Sequence, residues 1–266
     1  MATSVDAWIL RPRPEPGARV RLFCFPYAGG GASPFRAWTD GLPPEVELCP
    51  VQLPGRESRL DEPAYTRLAP LVAALVMALR GHLDKPYAFF GHSLGALLAF
   101  ELVRALRRAG APPPRHLFVS GYRAPHLPDP EPPLHMLPGP ALWDELRRLN
   151  GTPPEVLRNA ELRRLMEPTL RADFAIDETY VYRPDEPLAC PISAFGGLAD
   201  TDVSGEMLAA WRRHTHDSFT LRMLPGDHFF IQSSRPLLLD ALGRDLKRLP
   251  SGPDRGAPAS GEHRHE

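Results

Sequence analysis

The sequence predicts an α/β fold in which a mostly parallel central sheet is flanked by helices. Three observations lead to this prediction. Short apolar runs of strand length alternate with stretches whose apolar residues recur every three or four positions. The pentapeptide at 91–95, Gly-His-Ser-Leu-Gly, lies between such a strand and such a helix. The alternation stops once, at about residues 125–187, where a proline-rich stretch leads into helical segments, and then resumes.

The first half of the chain contains four predicted strands and two predicted helices. The strands are runs of mostly apolar residues, as expected where both faces of a parallel sheet are covered. They comprise residues 20–25, 47–53, 87–90 and 116–120. A helix is predicted at 66–79 from the spacing of its leucines and valines, and a second at 94–108, which ends before Gly110.

The interruption after the fourth strand is predicted to be a helical lid inserted into the sheet domain. Seven prolines fall between Pro125 and Pro140, where they are incompatible with a regular helix or a central strand. Helical segments follow at 141–149 and 160–180, and Pro168 is expected to break the second. A static helical cap is the alternative to a mobile lid.

After the insertion the alternation of strands and helices continues. It comprises a strand at 192–195, a helix near 207–213, a strand at 219–224 and a last helix that opens at Pro236. Residues 1–249 are therefore expected to form a single domain that includes the insertion. Residues 250–266 are rich in Gly, Pro and charge with almost no apolar content, and are expected to form a disordered tail.

Composition limits the classes of function. The formal net charge is −1 at pH 7, so the overall charge does not indicate binding to nucleic acid or to an anionic membrane. Hydrophobic residues make up 43% of the chain, which is enough for a large core. No apolar run approaches the roughly 20 residues of a membrane helix. The N-terminus lacks an export signal, and Cys24, Cys49 and Cys190 are expected to be buried and reduced. We expect a cytoplasmic protein, with a monomer as the default state.

Ser93 is the candidate nucleophile. A Gly-x-Ser-x-Gly turn between a strand and a helix holds the serine hydroxyl exposed above a parallel sheet. Gly91 and Gly95 are needed there because strand and helix approach closely around a strained serine. In a chain with 21 glycines the motif can also arise by chance, and the alternative role for Ser93 is a helix N-cap.

His228 is the candidate base among ten histidines, since a serine hydroxyl needs a base within hydrogen-bond reach. It lies in a loop directly after the last predicted strand and before the last helix, where a base above the sheet belongs. His92 is adjacent to the serine, but its side chain is expected to leave the turn in another direction. The alternative for His228 is an ordinary loop histidine.

Asp200 is the candidate acid. It follows a predicted strand through two glycines, which allow the loop to turn back over the carboxyl edge of the sheet. The resulting chain order Ser93, Asp200, His228 is that of α/β-hydrolases. Asp202 is the second candidate, although a solvated or capping role suits it better. Asp227 is adjacent to the base in sequence, which is poor geometry for its partner, and is expected to be solvated.

Two backbone N–H groups are predicted to hold the oxyanion that forms during acyl transfer. One belongs to Leu94, directly after the serine. The other is predicted at Ala28 in the loop 26–31, Pro-Tyr-Ala-Gly-Gly-Gly, which follows the first strand. A glycine-rich loop could also cradle a phosphate, but this one lacks the Gly-x-Gly-x-x-Gly spacing and has no following Gly-Lys-Ser/Thr.

Five ordered segments of the chain resemble those of type II thioesterases, the stand-alone editing enzymes of polyketide and nonribosomal peptide synthesis. The segments are Phe25-Pro26-Tyr27-Ala28-Gly29-Gly30, Leu53-Pro54-Gly55-Arg56-Glu57-Ser58-Arg59, Gly91-His92-Ser93-Leu94-Gly95-Ala96-Leu97-Leu98-Ala99-Phe100-Glu101, Gly196-Gly197-x-x-Asp200-x-x-Val203 and Gly226-x-His228-Phe229-Phe230. The resemblance covers about residues 19–249 and implies an α/β-hydrolase fold with a mobile helical lid. Gly31 and Asp227 depart from the family pattern, which often has serine and glycine there; this bears on substrate preference more than on activity.

The resemblance also implies a reaction and its partners. The reaction is hydrolysis of aberrant or stalled acyl groups from the phosphopantetheine arm of acyl or peptidyl carrier proteins, through an acyl-enzyme on Ser93. No metal or organic cofactor is expected, because the arm belongs to the substrate. Arginines of the insertion could steer an acidic carrier protein, or be solvated only. These arginines are Arg147, Arg148, Arg163 and Arg164.

Two other functions fit the same residues. A general carboxylesterase or acyltransferase would use the same fold and triad, because neither determines the leaving group or the acyl acceptor. A non-catalytic binding protein with a hydrolase fold fits less well, since nucleophile, acid and base occur in the expected order. Preference for small esters would favour the first alternative, and failure of a fluorophosphonate to label Ser93 would favour the second.

Overall fold

The computed structural model describes residues 7–128 and 133–249. The strands are β1 (Val20–Phe25), β2 (Val46–Pro50), β3 (Tyr87–His92), β4 (His116–Ser120), β5 (Ile192–Gly197) and β6 (Phe219–Leu224). They form one sheet in the order β2-β1-β3-β4-β5-β6, and every neighbouring pair is parallel. The predicted α/β class with a parallel central sheet is confirmed.

The α-helices flank this sheet and fill the insertion. They are α1 (Leu68–Leu79), α2 (Leu94–Arg108), α3 (Gly139–Arg148), α4 (Pro154–Arg158), α5 (Ala160–Glu178), α6 (Gly205–Ala209), α7 (Phe230–Ser233) and α8 (Arg235–Lys247). Short 3-10 turns lie between them, of which Ser33–Trp38 packs on the sheet. The helix predicted near 207–213 is in fact α6 followed by a 3-10 turn over Ala210–His214.

The sheet is covered on both faces, which explains the continuous apolar character of its strands. Every residue of β1 is buried, and its side chains alternate between two core clusters. Phe23 and Phe25 lie in the cluster with α1 and α2, whereas Leu22 and Cys24 lie in the cluster with α8. Because all strands run the same way, the loops after β1, β3, β5 and β6 meet at one edge of the sheet.

The insertion lies between β4 and β5 and has a small core of its own, in which Trp143 of α3 packs with Val156 of α4 and Leu170 of α5. Pro168, which was expected to break the second helix, lies inside a continuous α5. That prediction is wrong because five residues that follow in α5 are buried against the rest of the molecule, namely Thr169, Leu170, Ala172, Asp173 and Ile176. This packing outweighs the hydrogen bond that proline removes.

Three further predictions concern the cysteines, the absence of a membrane helix and the C-terminal tail. The three cysteines are free and buried, as predicted. Within the described ranges, no helix combines the length and apolar character needed to cross a membrane. The predicted disordered tail, residues 250–266, lies outside the described residues.

Candidate active site

Ser93 occupies the turn between β3 and α2 with φ +53° and ψ −123°, a conformation that an L-residue adopts only under constraint. The flanking glycines show why. A Cβ on Gly91 would lie 2.0 Å from the carbonyl oxygen of Gly95, and a Cβ on Gly95 would lie 2.2 Å from that of Phe25. The Ser93 side chain caps no helix, so the N-cap interpretation is wrong. The residue instead lines a cavity.

His228 and Asp200 are hydrogen-bonded to each other: His228 Nδ1 lies 2.8 Å from Asp200 Oδ2. The second carboxylate oxygen accepts the N–H groups of Asp202 and Val203 at 2.9 and 3.1 Å, and the Asp200 side chain has no exposed surface. Burial alone would raise the pKa of Asp200, but these bonds outweigh it and hold the pKa below its ordinary value. The ionised carboxylate therefore favours the tautomer with the proton on Nδ1, which leaves Nε2 as an acceptor. His228 lines the same cavity as Ser93.

His92 is turned away from the cavity, as predicted. It has no exposed surface, and its Nδ1 lies 2.9 Å from Oγ of Ser120. Its ring packs against that of His228, with 5.1 Å between the ring centroids. Burial, and secondarily the neighbouring imidazole, hold the pKa of His92 well below the ordinary histidine value. His92 is therefore a neutral support beneath the candidate base.

A second histidine pair lies away from Ser93. His126 Nδ1 is 2.8 Å from His214 Nε2, and His214 packs among Phe100 and Trp211. Burial, together with the His126 ring, lowers the pKa of His214 to about 4. This pair is uncharged at neutral pH and does not line the cavity of Ser93.

A second serine–histidine–aspartate cluster lies at the opposite edge of the sheet, where β4 and β5 begin. His116 Nε2 and Asp245 Oδ2 both lie 2.9 Å from Oγ of Ser193. Arg222 holds Asp245 with two hydrogen bonds of 2.7 and 2.8 Å. Here the carboxylate accepts from the serine instead of orienting the histidine, and the serine is buried. The cluster is a structural network without an activated nucleophile.

Asp202 and Asp227, the aspartates considered beside Asp200 as the acid, both form hydrogen bonds with residues of the insertion. Asp202 Oδ1 accepts from Arg148 Nη1 at 2.9 Å, and Asp227 Oδ2 accepts from Asn150 Nδ2 at 2.9 Å. The purely solvated role predicted for Asp227 is therefore wrong. These contacts connect the end of α3 to the loops that carry the candidate acid and base. They also occupy Arg148, one of the arginines considered for steering a partner.

The loop 26–31 presents Ala28 to the cavity. The N–H of Gly30 donates to the carbonyl of Tyr27 at 2.9 Å and closes a tight turn, in which Gly29 has φ +74°. A positive φ at this place in a turn favours glycine. The Ala28 N–H donates to no acceptor within the described part of the chain. The Ala28 N–H is therefore available to an acceptor bound in the cavity.

The second predicted donor, the N–H of Leu94, belongs to the first turn of α2. The first N–H groups of a helix have no intrahelical partner, and the partial positive charge of the helix N-terminus adds to their attraction for an anion. Leu94 follows Ser93 directly, so its N–H belongs to the peptide that joins the two residues. The assignment of the Ala28 and Leu94 N–H groups as oxyanion donors stays a prediction.

The cavity that Ser93 and His228 line has a volume of about 610 Å³. The insertion supplies an apolar wall, formed by Leu134, Leu137, Ala141, Leu146, Leu149, Leu170 and Phe174. An apolar wall beside a nucleophile suits an acyl chain whose carbonyl reaches the serine. The insertion therefore shapes the site, whether or not it moves.

Two buried residues near this site were missed by sequence reasoning, Arg56 and Asp173. Asp173 lies between Leu170 and Phe174 on α5 and has no exposed surface. A lone carboxylate on the apolar face of a helix was the signal, because a buried charge requires a partner. The partner is Arg56, in the segment after β2.

The parallel sheet, the serine turn and the aspartate–histidine pair define the α/β-hydrolase class. A family model described as thioesterase domain matches residues 20–246. The chain belongs to this family, and is accordingly a hydrolase that acts on thioesters.

Individual relatives agree over nearly the whole chain. It is 48% identical over 247 residues to linear gramicidin dehydrogenase LgrE of Brevibacillus parabrevis, covering 92% of this chain and 94% of LgrE. Among solved structures it is similar to RedJ, the thioesterase of the prodiginine pathway in Streptomyces coelicolor, with 46% identity, 89% of each chain covered and a TM-score of 0.82. It is also similar to BorB, the type II thioesterase of the borrelidin cluster, with 38% identity, 91% and 98% coverage and a TM-score of 0.83.

Proposed function

We propose that the chain is a type II, editing thioesterase that removes aberrant or stalled acyl groups from carrier proteins of polyketide or nonribosomal peptide synthesis. The observation that carries the proposal is the arrangement of strained Ser93 and the His228–Asp200 pair around one cavity with an apolar wall. The names of RedJ and BorB, each assigned to a biosynthetic pathway or cluster, support the substrate class.

In the proposed first step, Nε2 of His228 takes the proton of Ser93 Oγ while this oxygen attacks the thioester carbonyl carbon. The carbonyl oxygen becomes an oxyanion held by the N–H groups of Ala28 and Leu94. The C–S bond then breaks, and the pantetheine thiol leaves with the proton from His228. Asp200 stabilises the imidazolium that forms. A single oxyanion donor of this kind contributes about 10²- to 10³-fold in kcat.

In the second step, His228 takes a proton from water, and the hydroxide attacks the acyl-enzyme. Collapse of the second tetrahedral intermediate returns the proton to Ser93 and releases the carboxylic acid. The phosphopantetheine arm is part of the substrate, so this mechanism calls for no cofactor or metal of the enzyme. One chain supplies the triad, both donors and the cavity, and we propose that the enzyme acts as a monomer.

LgrE carries the name of a dehydrogenase, which is a redox enzyme. The glycine-rich loop 26–31 of this chain lacks the spacing of a dinucleotide fingerprint. It follows β1 as a tight turn that presents Ala28 to the cavity that Ser93 also lines. These features support acyl transfer.

The proposal is tested by release of acyl groups from an acyl-phosphopantetheinyl carrier protein, with a nitrophenyl ester as the reference substrate. Fast hydrolysis on the carrier protein that Ser93→Ala abolishes is the expected result. Ser218→Ala, an exposed serine at the far edge of the sheet, is the matched control and should keep full activity. Turnover of the ester without the carrier substrate would indicate a general esterase. No turnover, and no labelling of Ser93 by a fluorophosphonate, would indicate a binding protein.

A further inference from the structure

The carboxylate of Asp173 has no exposed surface, and its hydrogen bonds reach two segments far away in sequence. Oδ1 accepts from Arg56 Nη2 at 2.8 Å, and Oδ2 accepts both from Arg56 Nη1 and from the N–H of Gly29 at 2.7 Å. A buried ion pair contributes little to stability by itself, because the cost of desolvating both charges offsets their attraction. The position of this pair therefore calls for another explanation.

The Gly29 N–H belongs to the central peptide of the turn that Tyr27 and Gly30 close. The central peptide of a tight turn has two orientations, which exchange the positions of its N–H and its C=O. A carboxylate accepts the N–H and repels the C=O, so Asp173 selects the observed orientation. In that orientation Gly29 has φ +74°.

Arg56 holds the same loop one residue further on. Its Nη1 donates to the carbonyl of Gly30 at 3.2 Å, and its Nε donates to the carbonyl of Pro54 at 3.2 Å. From α5, Thr169 Oγ1 donates to the carbonyl of Gly55 at 2.6 Å. The second half of α5 is therefore attached by polar contacts to two loops, the loop 26–31 that contains Ala28 and the segment 54–56 after β2.

We propose that Asp173 and Arg56 are positioning residues: by fixing the Gly29 N–H and the Gly30 carbonyl they hold the turn 27–30, and with it the preceding Tyr27–Ala28 peptide, whose N–H is thereby kept ready for the oxyanion. This inference rests on the proposed function, because it concerns the oxyanion formed at Ser93. Neither side chain lines the cavity, so both act through the loop. Donors held in place before the reaction need no reorganisation during it, and their displacement lowers the rate.

The test compares Asp173→Asn and Arg56→Gln with Asp245→Asn in the full chain. Asp245→Asn is the matched control, since it breaks a buried carboxylate–arginine pair at the opposite edge of the sheet. We would measure kcat and KM on an acyl carrier protein and the melting temperature of each variant. We would also measure affinity for a trifluoromethyl ketone, which forms an oxyanion adduct with the serine, and for the matching thioether, which does not.

For Asp173→Asn and Arg56→Gln we expect kcat to fall about 10- to 100-fold, less than for outright loss of an oxyanion donor. The ketone affinity should fall in parallel, while KM and the thioether affinity change less than about threefold. Asp245→Asn should keep kcat within about twofold at a comparable loss of melting temperature. Arg56→Lys, which keeps the charge without the planar fork, should lie between wild type and Arg56→Gln.

Equal losses of ketone and thioether affinity would overturn the proposal, as would wild-type kcat in the folded variants. If Asp173→Asn does not fold, the ratio of ketone affinity to thioether affinity in Arg56→Lys and Arg56→Gln tests the proposal instead. Failure of the proposed function has a different signature, because then the wild-type chain does not hydrolyse the carrier substrate or Ser93→Ala stays active. Where the wild-type chain does not hydrolyse the carrier substrate, the ketone-to-thioether ratio still tests the positioning role of Asp173 and Arg56, because the adduct with Ser93 requires no turnover.

Discussion

Nδ1 of His228 lies 2.8 Å from Oδ2 of Asp200, and this contact connects the loop after β6 to the loop after β5. The carboxylate is buried, ionised and held on its other oxygen by backbone N–H groups, so its orientation is determined by the loop itself. The imidazole has less freedom than a surface histidine, and the residue lines the cavity shared with Ser93. A base held in one tautomer and one orientation is what serine catalysis requires.

Asp200→Asn should lower kcat by about 10³- to 10⁴-fold, because an amide can no longer stabilise the imidazolium or select the tautomer. Asp202→Asn should keep kcat within about threefold, since the Asp202 side chain is directed to Arg148 instead of the base. Single-turnover hydrolysis of an acyl carrier protein measures both. An equal loss in the two variants would mean that the acid has been misassigned.

Gly95→Ala should abolish activity and destabilise the fold by more than about 3 kcal/mol, because the new Cβ meets backbone atoms that cannot move. Gly81→Ala is the matched control: a Cβ at Gly81 meets nothing within 4 Å, and its free energy of unfolding should change by less than about 1 kcal/mol. Urea unfolding followed by fluorescence measures both. A stable, active Gly95→Ala variant would contradict the close approach of β1 and α2.

Ala141→Leu should shorten the acyl chains that the enzyme accepts. Ala141 lines the apolar wall, and a larger side chain there occupies space needed by a long chain. We expect kcat/KM to fall about tenfold for a long acyl group and less than twofold for acetyl. Ala209→Leu, on an exposed position of α6, serves as the control and should leave both unchanged. A uniform loss for all chain lengths would argue against this wall as the acyl site.

The lid prediction is tested by limited proteolysis. Residues 151–168 contain a single buried residue, Val156, whereas the second half of α5 has five. Segments with little burial open most readily, so among the sites of the insertion trypsin should cut Arg158, Arg163 or Arg164 before Arg171. A long-chain acyl phosphonate bound at Ser93 should slow these cuts at least about threefold. Identical cleavage with and without it would indicate a static cap.

The buried His214 should make the protein less stable in mild acid. Burial lowers the pKa of His214 to about 4 from 6.5, so between these values the unfolded chain binds a proton that the folded chain does not. The contribution of neutral His214 to the free energy of unfolding is fully present above about pH 7, and it is lost as the pH falls through 6.5 toward 4. The loss is about 2 kcal/mol between pH 7.5 and 5.

His214→Gln should remove this part of the pH dependence of the free energy of unfolding. Leu242→Ala, in the core cluster on the other face of the sheet, should destabilise the fold at every pH and keep the wild-type slope. Urea unfolding at a series of pH values measures both variants. Parallel curves for wild type and His214→Gln would contradict the assignment.

The features that the sequence predicted correctly depend on residues that are close together along the chain. The strand runs, the two glycines around Ser93 and the chain order of Ser93, Asp200 and His228 are local patterns. In a parallel sheet every such loop ends at the same edge, so the order of the elements already places these groups together. The hydrogen bond of the His228–Asp200 pair agrees with that expectation.

Tertiary structure alone decided the features that depend on contacts between distant segments. α5 continues through Pro168 because the following residues are buried, and Asp227 meets Asn150 of the insertion 77 residues away. Asp173 meets Arg56 across 117 residues. No local period encodes such pairs, since they form only when the packed insertion brings a helix over the edge of the sheet. A buried charge in a helix signals that a partner exists, and only the packing determines which residue it is.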